Sequence, residues 1–269
     1  MAFWRVKGEE PQRQMKRKFY EQRYSFTRLS EIICSEDDVD LIIITGHNTA
    51  PGGEEQGIPK EAHHIRGGNF SDLYFVPKLV AELVMQLCKK CGRYVEAATL
   101  NIRMVPSIYL SMNDARQHNL LLLGAGNVNW CVEYIFQKYW QEPDLLPIHF
   151  KTIDTHEIIV SELSRREYSP SRQVGEISTD YGILEIAPNP WNETKIAILC
   201  CGIDFWGTQA ALLALTKRQD SKGAELINNK FENQYAAKVI STKLQTTEIR
   251  NFADIPLKLR TLGQLLFEE

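Results

Sequence analysis

Apolar residues in this chain fall into short unbroken runs, each closed by glycine and followed by a segment of helical spacing. Leu120 to Leu123 run into Gly124-Ala125-Gly126-Asn127, after which Trp130, Val132, Tyr134, Ile135 and Tyr139 recur at helical intervals. A wholly apolar run bounded by glycine is the pattern of a strand covered on both faces, so the stretch predicts strand, tight turn, helix. Ile196 to Cys201 repeat it: Gly202 and a short loop with Asp204 follow, and Gly207-Thr208 open a helix rich in Ala and Leu. A third such strand is predicted at Asp40 to Thr45, closed by Gly46.

The remaining elements are fainter. A charged helix over 12–33 predicts an N-terminal arm, and Ser71 or Asp72 is placed to cap a helix running to about Lys90. Between them, 47–69 holds several glycines and prolines with no periodicity, a length of loop that is more often functional or mobile than structural. Tyr94–Leu100, Pro147–Phe150 and Glu157–Val160 are expected strands, Val105–Gln117 a short helix, and Arg165–Arg172 a surface loop. Asp180 to Trp191 predict a strand and a proline-locked turn leading straight into the Ile196 strand, an antiparallel hairpin that makes the sheet mixed. Ala236–Leu244 is expected as a late edge strand. The fold class is therefore α/β: a Rossmann-like, mixed, mostly parallel sheet with helices on both faces. The expected organisation is an arm over 1–34 and one domain over 35–269.

Composition narrows the partners. The 31 basic and 34 acidic residues give a net charge of −3, which disfavours nucleic acid as the main ligand. No apolar run reaches the ~18 residues of a membrane span, and no signal peptide is recognisable, so a cytoplasmic location is expected. Cys34, Cys131, Cys200 and Cys201 lie in or beside apolar runs, where reduced core thiols belong. Cys88 and Cys91 form a lone CxxC without partner ligands, and His47, His63 and His64 have none at recognised spacing, so no metal site is expected.

The candidate chemistry lies at the two glycine corners. Glycines at the carboxyl edge of parallel strands let backbone approach a ligand while helix amides point at it. A nucleotide-like phosphate is expected on Gly124, Gly126, Gly202, Gly207 and Thr208, with Asn127 and Asn129 bonding sugar or base. Arg66 is the basic residue best suited to a phosphate, and Phe205 and Trp206 are placed to stack on a base. Each corner also has a plain packing reading, because the third glycine of GxGxxG is replaced by Asn129. If the site turns its ligand over, Asp204 is the best placed acid or base, with Glu185 and Asp72 behind it. No P-loop, HExxH, kinase or Ser-His-Asp pattern is present. A subunit scaffold, whose corners only pack, is the third reading.

Taken in order, LLLLGAGNVN, DYGILEIAPNPW and LCCGIDFWGTQAA, with RGGNFSDLY nearer the N-terminus, resemble the prokaryotic Rossmann-like domains that include SLOG-type nucleotide-sensing modules. The resemblance spans roughly 40–245. It implies a sensor of a nucleotide or nucleotide-derived signal, a regulatory module of the kind found in antiviral defence. Such a module acts with a protein partner or as a homo-oligomer. Hydrolysis of a nucleotide or of its N-glycosidic bond is the enzymatic alternative.

Overall fold

A computed structural model describes residues 29–33, 40–46, 81–86, 89, 103–139, 146–154, 156–173, 176–219, 237–250 and 256–267. The strands are β1 (Ile42–Thr45), β2 (Arg103–Pro106), β3 (Leu120–Leu123), β4 (Ile148–Ile153), β5 (His156–Ser161) and β6 (Arg166–Tyr168). They continue with β7 (Ser171–Gln173), β8 (Glu176–Pro188), β9 (Ile196–Gly202), β10 (Ala237–Arg250) and β11 (Pro256–Phe267). The main sheet runs β11-β10-β8-β9-β3-β1-β2, with β7 also paired to β8. Strands β9, β3, β1 and β2 are mutually parallel, and β8, β10 and β11 are antiparallel to their neighbours. The architecture is α/β with a mixed sheet.

Its central strands are apolar on both sides because two separate cores press on them. Ile43, Leu121, Leu123, Ile198 and Cys200 face one core with Leu29, Ile33, Leu83 and Val84. Ala210, Ala211, Leu212, Ala214 and Leu215 of the helix Phe205–Gln219 complete it. Ile42, Ile44, Leu120, Leu122, Leu199 and Cys201 face the other, with Trp130, Cys131, Val132, Ile135 and Phe136 of the helix Trp130–Tyr139. Neighbouring residues thus enter opposite cores, as period-2 alternation requires. Each buried leucine contributes roughly 1.5–3 kcal/mol to folding.

The second core has a further cover. Strands β4, β5 and β6 form a separate antiparallel meander, and Ile148, Ile159 and Tyr168 lie in that core. The turns at Asp154 (φ 55°) and Arg165 (φ 59°) are left-handed, the conformation tight reversals need.

Three buried asparagines tie the strand ends together. Asn119 Nδ2 donates to Asp40 O while its Oδ1 accepts from Ile196 N, joining the starts of β1 and β9. Asn189 Nδ2 donates to Ala115 O and His118 O, which anchors the β8–β9 turn to the helix Met112–Gln117. Asn129 plays the same part at the carboxyl edge, donating to Ile44 O at 3.2 Å and Leu123 O at 3.0 Å. Beside Asn119, Asp40 pairs with His118 Nδ1 at 2.7 Å and Lys195 Nζ at 2.5 Å.

The expected strands at β1, β3, β4, β5, β8 and β9 are present, and β8 and β9 form the expected hairpin. Three expectations differ. Val105–Gln117 is the end of β2, a 3-10 turn at Ser107–Tyr109 and a helix only from Met112, which Ser111 caps through Asp114 N; Pro106 is the physical reason, since it disfavours helix before it. The expected loop at Arg165–Arg172 contributes β6 and β7. The Ala236–Leu244 segment is not an edge: β10 continues to Arg250 and is covered by β11. Leu29 and Ile33, on the apolar face of the helix expected over 12–33, lie in the helix Leu29–Ile33 and pack in the first core.

Candidate functional site

The carboxyl ends of β1, β2, β3 and β9 lie on one edge, because all four run in parallel. Both glycine corners therefore meet there, and Gly124 N donates to Cys200 O at 3.2 Å. Gly124 has φ 89°, a backbone form that glycine adopts without strain.

Each corner is largely occupied by the protein itself. At the first, Asn129 Oδ1 accepts from Cys131 N, and both hydrogens of its amide go to strand carbonyls, so this fully buried side chain caps the Trp130 helix. Glu133 closes over Gly126, where a Cβ would overlap its Oε2. Asn127 is exposed. At the second, a Cβ on Gly182 would overlap Gly207 O, one on Gly202 would overlap Thr208 N, and one on Gly207 would overlap Tyr181 O. These glycines form a seam of backbone on backbone between β8, β9 and the Phe205 helix.

The helix start has its own anion. Gly207 N donates to Asp180 Oδ2 at 2.6 Å, and Tyr181 N to Oδ1 at 2.8 Å. Asp180 is wholly buried, and that burial pushes its pKa up to about 7. Asp204 is exposed and caps the helix, accepting from Phe205 N at 2.6 Å, while Thr208, buried in the first turn, donates its N–H to Asp204 O. Phe205 and Trp206 are half-buried with ring centroids 4.9 Å apart. Glu185 is wholly buried in β8, and that burial pushes its pKa well up against the smaller, opposing effect of the Ile148 backbone amide. Arg66, Asp72, the three loop histidines and Cys34, Cys88 and Cys91 lie outside the described residues.

An open cleft begins where the first corner ends. It holds about 420 Å³ between the Trp130 helix and the small sheet, lined by Gly126, Glu133, Phe136, Gln137, Phe150, Thr152 and Glu157. Phe136 and Phe150 meet edge to face at 5.5 Å and form its apolar wall. Gln137 Nε2 donates to Glu133 Oε1 at 2.8 Å, holding that carboxylate by an i, i+4 bond along the helix. Glu157 Oε2 is buried without a partner. Burial first, and the charge of Glu133 second, push the Glu157 pKa up to about 7.

The cleft thus brings a carboxyl group whose pKa is raised together with a second glutamate, a pairing that acid–base chemistry can use. Neither Glu133 nor Glu157 was marked by the sequence. Each is one polar residue among several in its own element, and only the packing of the small sheet over the Trp130 helix puts them in one cleft. Among the described residues no group of three or more His, Cys, Asp or Glu is placed to hold a metal ion. Cys131, Cys200 and Cys201 are free and buried, as expected. No described helix is long and apolar enough to cross a membrane.

No protein-family model matches this chain, and no curated protein matches it.

Proposed function

We propose that the cleft is the active site of a hydrolase acting on the N-glycosidic bond of a nucleoside or nucleotide. The observation that carries this reading is Glu157: a half-buried residue whose carboxyl has a pKa of about 7 and one buried, unpartnered oxygen, lining with Glu133 the same aromatic-walled cleft. In the reaction, Glu157 gives its proton to a nitrogen of the departing base as the bond from the sugar carbon to nitrogen breaks, and the bonding electrons leave with the base. Glu133 stabilises the positive charge on the sugar and takes a proton from the water that adds to it. The location supports the reading too, since open α/β sheets bind ligands beyond the carboxyl ends of their strands. A Rossmann-like description of the fold belongs to this same proposal.

The test is incubation with a pool of nucleosides and nucleotides followed by mass spectrometry. Release of free base, lost in Glu157→Gln with an unchanged circular-dichroism spectrum, supports hydrolysis. Retention of an unaltered ligand points instead to the sensor suggested by the resemblance, with the cleft as its binding site. An untouched, unbound pool removes both and leaves the scaffold.

A further inference from the structure

The charges around the cleft select among the ligands that the hydrolase reading admits. Among the described lining residues there are two acids and no Lys or Arg. The backbone groups that ordinarily receive a phosphate are engaged: the Trp130 helix is capped by Asn129 Oδ1 at Cys131 N, and the Phe205 helix receives Asp180 at Gly207 N. Glu133 stands over Gly126, so an anion approaching the first glycine corner meets a carboxylate before it meets an amide. Asp180 adds a buried acid, and Asp204 an exposed one, at the neighbouring corner.

Resting on the hydrolase reading, we infer that the site takes unphosphorylated nucleosides in preference to their 5′-phosphates. A sugar and base offer hydroxyls and ring nitrogens that Glu133 and protonated Glu157 can bond, and an apolar ring face that suits Phe136 and Phe150. A phosphate dianion brings like charge to the same space, and like-charge juxtaposition in a partly dry site is expected to weaken binding by about tenfold or more. The positive charge that develops on the sugar is favoured by the same field that repels phosphate.

The experiment compares adenosine, guanosine, cytidine and uridine with their 5′-monophosphates, measuring both calorimetric binding and base release, in the parent chain and in Glu133→Gln. The expected result is at least about tenfold tighter binding of one or more nucleosides, with the gap narrowing in Glu133→Gln because one repelling charge is gone. Equal or tighter binding of the monophosphates, with base still released, overturns the selectivity and leaves the hydrolase reading standing. A gap unchanged in Glu133→Gln overturns the stated cause. Absence of both binding and base release for every compound overturns the hydrolase reading and this inference together.

Discussion

The Gly207 amide donates to Asp180 Oδ2 at 2.6 Å, so a carboxyl from β8 occupies the start of the Phe205 helix. A negative group there is favoured by the helix dipole and by the orphan amides of the first turn. Burial opposes the charge more strongly, which is why the group titrates near 7 rather than below its usual value. The nearby charge of Asp204 pushes in the same direction as burial.

The sign of the consequence is fixed. A carboxyl whose pKa rises on folding contributes stability that is complete at low pH and is lost as pH climbs from the unfolded value of 3.8 towards about 7. The shift corresponds to about 4 kcal/mol at most. Glu157 acts with the same sign, so the urea midpoint is expected to be higher at pH 5 than at pH 8. Asp180→Asn gives up backbone-amide bonding on the side where its NH2 replaces an oxygen, costing about 1 kcal/mol at pH 5, and escapes the ionisation penalty at pH 8. Its stability gap to the parent should therefore close or reverse between those values. A gap of constant size would show that Asp180 is not the titrating group.

The glycine seam makes a steric prediction. Alanine at Gly182 or Gly207 drives a methyl into backbone oxygen, and alanine at Gly202 drives one into a backbone nitrogen, none of which can rotate away. Each substitution is expected to cost about 3 kcal/mol or more, beyond ordinary overpacking. Gly46→Ala is the control, because its Cβ would sit 3.0 Å from Val128 O and closer contacts are absent. Thermal melts should rank Gly46→Ala well above the other three.

Much of the sheet was legible because its central strands are buried on both faces. Leu120–Leu123 and Ile196–Cys201 admit no polar residue, and composition alone marks such strands. The glycine corners were legible as turns, but not what fills them. Asn129 reads as a ligand donor from its spacing, and only the nearness of β1 to β3 shows its amide spent on Ile44 and Leu123. Asp180 reads as a strand residue of unremarkable polarity until Gly207 is seen against β8. The cleft is non-local in the same way, since Glu133 and Glu157 come from a helix and from a separate small sheet. At the other end, β10 reads as an edge because PLKLRTLGQLLF breaks its alternation at Thr261 and Gly263, and pairing with β11 overrides that weak pattern.

Asn129 tests how firmly the first corner is held. Asn129→Ala deletes two bonds to strand carbonyls and the cap on Cys131, and leaves Ile44 O and Leu123 O without that partner; a loss of about 2–4 kcal/mol is expected. Asn129→Asp keeps the cap and turns an acceptor towards both carbonyls, so it should be at least as damaging at neutral pH and partly recover on acidification, when the new carboxyl can donate. Equal urea midpoints for the parent and both variants would mean that the side chain does not bridge β1 and β3.

The two cleft carboxyl groups must sense each other if they share one site. Burial is the larger cause of the raised Glu157 pKa and the charge of Glu133 the smaller, so removing that charge should lower the titration midpoint from about 7 without returning it to the ordinary value of 4.5. Carbon-13 NMR of glutamate carboxyls across pH 4–9, in the parent and in Glu133→Gln, measures this directly, with Glu157→Gln supplying the assignment. The same titration predicts where any activity of the parent lies, because a general acid works only while protonated: base release should fall as pH passes through the Glu157 midpoint. A Glu157 midpoint near 4.5 in the parent would leave the cleft without an acid catalyst, and a midpoint indifferent to Glu133 would mean that the two carboxyl groups do not share one site.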